Sequence, residues 1–546
     1  MCGFFFSRND MNIDLDGLLQ RMIHRGPDST KKISLKNVLC GFNRLSIIDQ
    51  NSDSDQPMCD ISGRYIIMFN GEIYNYEELR KKLLNKYNII FRTNSDTEVV
   101  LNLLIFEGLN YIKNLDGIFS IVFYDSKVDS ITLIRDPVGV KPIYYYRKNR
   151  KIYISSEIRP INSIVKSKIS NEGCTEYLTL GVSMENKTIL ENIKKVCPGE
   201  IIKIKKDNSF LSRRYSNFKF NKTKSYKIND IEKLLSKSVI SQIPKINFGV
   251  MFSGGIDSSL LLAKTYKMKN FKSCFSINIS DKNFNEFQYQ KLLIEKYKLL
   301  KKSFFLDQKK NDFSIKNLKQ VASKYDLPVI HPNFVGALKL TKKASRTGLK
   351  VLLSGEGADE IFMGYKWFLQ EYENENFLEY IKCSDLKKII PSFSKFKIKN
   401  YKMCIERKFQ EIYLQKWLTR QDLSGMANGI EIRVPFLSLQ LIKYLNKIVL
   451  KEKIKNKTTK FILKKISENY FDEGFIYRKK MGFDYPLNKW INIEHVNFLK
   501  KHENIINVKE LNNFWLNNKS YFIPRLIFVA VMFVLWIKEN KVIFKI

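Results

Sequence analysis

The stretch GVMFSGGIDSSLLLAK (249–264) constrains the fold more than any other part of the chain. An apolar run ends in a Ser-Gly-Gly turn, and an apolar helical pattern begins at once. Gly254 and Gly255, following Ser253, let backbone N–H groups approach an anion with no side chain between. Ser258 and Ser259 fall at the expected helix start, where hydroxyls cap and the helix dipole favours negative charge. Asp257 beside phosphates needs a cation to share the site, so it is a candidate Mg2+ ligand. No Lys follows the glycines and no third Gly is present, which excludes the Walker A loop and the dinucleotide fingerprint.

The surrounding alternation extends this unit into a sheet. FGVMF (248–252), KSCFSINIS (272–280) and LKVLLSG (349–355) read as strands separated by helical segments, the pattern of a parallel sheet with crossover helices. VLLSGEGADEIFMGY (351–365) repeats the strand-then-glycine logic about a hundred residues later. Ser354 and Gly355 are placed to meet a nucleotide, Glu356 to take a proton or orient an acceptor, and Asp359 to be a second Mg2+ ligand. From about residue 365 the pattern is mainly helical.

Residues 1–215 read differently. YIIMFN (65–70), GIFSIVFYD (117–125), SITLIRD (130–136) and PIYYY (142–146) are short strand-like runs between Gly, Asn and Asp turns. NYEELRKKLLNKY (75–87) and DTEVVLNLLIFEGL (96–109) are helical, so the expectation is a mixed sandwich of sheets with covering helices. VCPGEIIKIKK (196–206) supplies a last strand pair, and SNFKFNKTKSYK (216–227) reads as a linker.

Cys2 becomes the first residue if Met1 is removed. A thiolate nucleophile then has its own base, an α-amino group of ordinary pKa near 7.7–8.0. Four polar-tipped segments follow: HRGPDS (24–29), GFNRLSIIDQ (41–50), MFNGEIYNYEELR (68–80) and RTNSDTEVVL (92–101). Asn70 with the Gly71 N–H could form an oxyanion hole. Arg44 could clamp an α-carboxylate, and Glu72 and Asp96 could pair with an α-ammonium. Together these groups would hold the amino-acid end of glutamine with its amide at Cys2.

Composition removes several classes. The eight cysteines are scattered without CxxC spacing and the four histidines form no ligand-spaced cluster, which argues against a disulfide framework or zinc site and suits the cytoplasm. LIFVAVMFVLWI (526–537) is too short to span a bilayer and reads as a buried helix, so no membrane partner is expected. The net charge of +38 invites a nucleic-acid reading, but Lys and Arg are spread along the whole chain, so none is expected. A homodimer stays open.

In this order the motifs resemble the glutamine-hydrolysing asparagine synthetases over nearly the whole chain. MCG, HRGPD, RLSIID, QPM (56–58), FNGEIYN, SDTEV, LDGIFSIVFYD (115–125), RDPVGVKPIYY (135–145) and SSEI (155–158) look like the family's class II glutaminase domain. SGGIDSS, which matches the PP-loop of ATP pyrophosphatases, looks like part of its synthetase domain. So do SGEGADE, IEIRVPFL (430–437), TKFILKK around Lys460, and YRKKMGFDYPLNKW (477–490).

The resemblance implies an α+β N-terminal-nucleophile glutaminase domain over 2–215, an αββα sandwich. After the linker it implies an α/β PP-loop synthetase domain over 228–546, with a parallel sheet and a helical C-terminal part. It further implies Cys2 as nucleophile, with Arg44, Asn70, Gly71, Glu72 and Asp96 around glutamine. Phe252, Ile277, Ser354 and Gly355 stand at the matching ATP positions, and Glu356 and Lys460 match residues tied to an acyl-adenylate. ATP and Mg2+ are the implied cofactors, and ammonia would travel inside the protein.

Three segments depart from the family pattern. RVPFL ends in Ser438 where Asp is usual, DLPVIHPN (326–333) carries His331 and Asn333, and DLSGMANGIE (422–431) also varies. A cap would survive the change at Ser438 and a charged contact would not. The default acceptor is aspartate, giving asparagine. Another carboxylate, such as a sugar acid of surface polysaccharide, is the alternative, and a basic nucleic-acid binder without turnover is the distant one.

Overall fold

The computed structural model describes residues 2–216, 218–220, 223–365, 379, 381–393, 404–479, 485–517 and 522–543. Part of the expected motif at 477–490 (residues 480–484) and residues 217, 221 and 222 of the expected linker lie outside them.

The amino-terminal half is built from two six-stranded sheets, antiparallel throughout. One runs in the order Ile193–Lys195, Tyr144–Lys148, Lys151–Ser155, Gly3–Arg8, Val38–Arg44, Ser29–Ser34. The other runs Phe210–Arg214, Glu200–Ile204, Ser130–Arg135, Gly117–Asp125, Tyr65–Ile73, Met58–Cys59. Side chains alternate across each strand, so Phe4 and Phe6 meet Met68, Val122 and Leu133 between the sheets. Phe5 points the other way, into a cluster with Leu15 and Leu19 of the helix Leu15–Arg21. On the outer face of the second sheet, Ile67 and Phe69 pack on Leu79 and Val99 of the helices Tyr76–Tyr87 and Asp96–Phe106. The layers are therefore helix, sheet, sheet, helix, as the resemblance implies.

The carboxyl-terminal half holds a five-stranded sheet, parallel throughout, in the order Ser303–Gln308, Phe271–Ile279, Phe248–Met251, Val351–Leu353, Glu431–Arg433. In chain order this is 3-2-1-4-5, so the direction of winding reverses between Phe248–Met251 and Val351–Leu353. Ligands of open α/β sheets bind at the carboxyl ends of strands flanking such a reversal. The two glycine loops, 252–256 and 354–357, leave the sheet there.

The helix Phe522–Glu539 takes the apolar run at 526–537 into the core, with Phe528, Val531 and Phe533 fully buried. Among the described residues no helix is long and apolar enough to cross a membrane. One hydrophobic cluster joins Phe5, Leu19 and Tyr177 of the first half to Tyr325, Phe528 and Trp536 of the second. Thr223, in the expected linker, bridges to Ile448.

Candidate active sites

Cys2 sits immediately before the strand Gly3–Arg8, between neighbours Val38–Arg44 and Lys151–Ser155 that fix its position. Its main-chain nitrogen donates to Asn70 Oδ1 at 2.9 Å, and its Sγ accepts from the Leu45 N–H at 3.5 Å. Burial pushes the thiol up, while the Leu45 N–H and the Arg44 guanidinium pull it down. A thiol held protonated at rest needs a base at the moment of attack, and the Cys2 nitrogen is the adjacent candidate.

Asn70 supplies the second half of this site. With Oδ1 accepting from Cys2, its Nδ2 is buried with no hydrogen-bond partner. An unpartnered buried donor beside a thiol is what an oxyanion formed there would require. Gly71 follows with φ 151°, and a Cβ there would lie 2.0 Å from the Ile118 carbonyl oxygen, so only glycine lets this strand approach its neighbour. The Asp96 carboxylate opens the helix Asp96–Phe106 and accepts from the Ile73 N–H at 3.0 Å; burial pushes it up to about 7.

Two of the expected glutamine contacts also hold ion pairs within the chain. Arg44 pairs with Asp55 at 2.8 Å and donates to the Asn51 and Asp49 carbonyls, so its Nη1 and part of its Nη2 serve the 49–55 loop. Glu72 Oε2 is held in a buried ion pair by Arg433, from the far half of the chain. Periodicity reveals neither ion pair, because a buried charge takes the nearest opposite charge wherever the chain brings it.

At the sheet reversal the loops converge. Gly255 is the N-cap of the helix Ile256–Thr265 and makes no side-chain cap. The expected capping by Ser258 and Ser259 is corrected: Ser258 Oγ binds Ser253 Oγ at 3.0 Å and the Gly255 carbonyl at 3.1 Å, and Ser259 Oγ donates to the Gly254 carbonyl. The hydroxyls lie inside the helix and turn back to shape the loop. Phe252, buried, accepts from Ser276 Oγ at 2.6 Å beside the strand that carries Ile277, also buried. A Cβ at Gly355 would lie 3.0 Å from Asp257 Cβ, so the second loop abuts the first.

Lys460 ties the two loops together. Its buried Nζ lies 2.6 Å and 2.7 Å from the Asp257 carboxylate oxygens and 2.8 Å from Asp359 Oδ1. The two carboxylates keep it charged although burial opposes this. Asp257 and Asp359, the expected Mg2+ ligands, thus converge on one cation position. Two carboxylates beside a glycine loop fit Mg2+, which takes one or two carboxylates and completes its shell with phosphate oxygens and water. Among the described residues no cluster of three or more His, Cys, Asp and Glu side chains offers a fuller protein cage.

Glu356 Oε2 accepts from Gln421 Nε2 at 2.8 Å and from Arg420, and Gln421 also donates to Ser354 Oγ at 3.0 Å. Close by, burial and the charges of Glu356 and Asp359 push Glu360 up to about 8. His331 is buried edge-on to Trp417, with ring centroids 5.2 Å apart, and burial holds it neutral.

Arg420 and Gln421 stand in no motif of the sequence, and Glu360 closes SGEGADE (354–360) without a role assigned to it. Arg25 lay within the quoted HRGPDS without a role. It donates Nε to the Cys2 carbonyl at 3.1 Å and Nη1 to Asp422 at 3.0 Å, so one buried side chain spans both halves. A cavity of about 30 Å³, the size of one water molecule, lies at this junction, lined by Arg25, Tyr144, Glu157, Asp326 and Asp422 among others.

A glutamine amidotransferase domain model matches residues 1–216, and the asparagine synthase family model matches residues 230–503. The chain belongs to the asparagine synthase family. Glutamine-hydrolysing asparagine synthetase 1 of Bacillus subtilis (strain 168) is 29% identical over 575 residues, covering 90% of this chain and 88% of the relative. The enzyme numbered 3 from the same organism is 27% identical, covering 86% and 83%. Glutamine-hydrolysing asparagine synthetase 1 of Arabidopsis thaliana is 26% identical, covering 93% and 79%.

Proposed function

We propose that the chain is a glutamine-dependent, AMP-forming asparagine synthetase. The β-carboxylate of aspartate attacks the α-phosphorus of ATP, forming β-aspartyl-AMP and releasing pyrophosphate. Cys2, its proton taken by its own α-amine once Met1 is removed, attacks the glutamine amide while Asn70 Nδ2 and the Gly71 N–H receive the oxyanion. Ammonia leaves, water cleaves the glutamyl thioester to glutamate, and ammonia displaces AMP to give asparagine.

In the second site Ser253, Gly254, Gly255, Ser258, Ser354 and Gly355 cradle the nucleotide between Phe252 and Ile277. Asp257 and Asp359 would hold Mg2+, which screens the phosphate charge when bound. Lys460 stabilises charge on the adenylate, and Glu356, fixed by Gln421 and Arg420, orients the acceptor or the incoming ammonia. Eight free cysteines fit a cytoplasmic setting.

The observation that carries this reading is the convergence of Asp257 and Asp359 on Lys460 where the parallel sheet reverses. Its test is incubation with ATP, Mg2+, amide-labelled glutamine and aspartate. Labelled asparagine and one AMP per asparagine are expected. Product with a uronic acid but none with aspartate would shift the acceptor, and no AMP with any acid would end the reading.

A further inference from the structure

Arg433 ends the strand Glu431–Arg433 at the edge of the parallel sheet, and its side chain is fully buried. Its donors go in three directions: Nε to Glu431 Oε1 at 2.7 Å, Nη1 to the Gln242 carbonyl at 2.7 Å, and Nη2 to Glu72 Oε2. Glu72 directly follows Gly71 in the strand Tyr65–Ile73, beside the Asn70 donor. With Oε2 held by Arg433, Glu72 Oε1 makes no hydrogen bond among the described residues. The Arg433 carbonyl in turn accepts from the Ser354 N–H at 2.9 Å, in the nucleotide loop.

Two carboxylates meet at Arg433, and a third, Asp96, accepts from the N–H of Ile73, the residue after Glu72. Glu72 and Glu431 are bonded to Arg433, and the charge of Glu431 reaches Asp96. Carboxylates crowded in a buried space protonate or move apart unless a cation fixes them. A guanidinium can bond two of them and a carbonyl at once, whereas an ammonium, with its donors on one nitrogen, cannot reach all three positions.

We propose that Arg433 is a positioning residue for the glutamine site, supplied by the nucleotide-binding half, which pins Glu72 so that Oε1 faces the α-ammonium of glutamine. The inference rests on reading Glu72 as a glutamine contact. Glutamine affinity then depends on a side chain whose own backbone anchors Ser354.

The test is glutamate release by full-length protein without ATP or acceptor, in wild type, Arg433→Gln and Arg433→Lys. Loss of a charged hydrogen bond predicts a KM for glutamine raised about tenfold in Arg433→Gln and about threefold in Arg433→Lys, with kcat within about twofold. AMP formation from ATP, aspartate and free ammonia stays within about twofold of wild type on the same reasoning. An unchanged KM for glutamine in both variants overturns the proposal. So does an equal fall in glutamine- and ammonia-driven AMP formation, which marks a structural role. If Arg433→Gln does not fold, Arg433→Lys alone decides, and an unchanged KM there overturns it. A wild type that releases glutamate but makes no AMP from aspartate fails the acceptor assignment and leaves this test standing. A wild type that releases no glutamate overturns both.

Discussion

At the scale of single residues, both sites hold groups whose partners are incomplete. Asn70 Nδ2 is buried and unpartnered next to Cys2, and removal of an oxyanion donor lowers kcat by roughly 10²–10³ in acyl-transfer hydrolases. Asn70→Ala is therefore expected to cut glutamate release by about that factor. Cys2→Ala is expected to abolish it while leaving ammonia-driven asparagine formation, and product analysis with each nitrogen source separates the two. Lys460→Met should do the reverse, ending AMP formation with glutamate release retained.

Asp96 sets a pH dependence at the same scale. Burial pushes its carboxyl up to about 7, and only the ionised form attracts an α-ammonium. Below that pH the carboxyl is neutral, so kcat/KM for glutamine should rise with pH through about 7, and Asp96→Asn should flatten that limb. The stability sign is opposite to that of a salt-bridged carboxylate. The folded protein keeps this proton to a higher pH than the unfolded chain does. Its contribution is full below the unfolded value of 3.8 and is lost as pH rises through about 7.

At the scale of elements, strand and helix patterns were legible where one face is buried. The strand Gly117–Asp125 and the helix Tyr76–Tyr87 stand within one residue of the expected runs. FFF at 4–6 carries no alternation, because its strand lies inside a sheet with apolar partners on both faces. The strands Ser303–Gln308 and Glu431–Arg433 were missed, since their short runs gain identity only by pairing with the sheet. Ser438, the departure from the family's Asp, is the N-cap of the helix Leu439–Asn446 and accepts from the Leu441 N–H at 3.3 Å. Ser438→Ala should lower stability by about 1 kcal/mol in denaturant unfolding, and Ser438→Asp should not.

At the scale of the molecule, the halves are interlocked. They share one apolar cluster, and Asp326 accepts from the Ile158 and Arg159 N–H groups at 2.7 Å and 2.9 Å, capping a helix of the first half from the second. A fragment ending at residue 216 would lose the second-half side of this cluster and the Pro328 carbonyl to which the Tyr177 hydroxyl donates at 3.1 Å. Such a fragment should bind a hydrophobic dye and melt below the full chain, as dye fluorescence and circular dichroism would register. Equal melting with no dye binding would show that the boundary read from sequence marks an independent unit.

The sequence by itself determined the loops that hold the candidate residues. A strand, a glycine turn and a helix start are short-range patterns, and Asn70, Asp257 and Asp359 are candidates by their place in them, as Cys2 is by its place after Met1. Only the tertiary structure decided which charges meet across the halves. Arg25 finds Asp422 at a separation of 397 residues, and Glu72 finds Arg433 at 361. Local periodicity records which face of an element is buried, but not what is buried against it, because that follows from the packing of the whole chain.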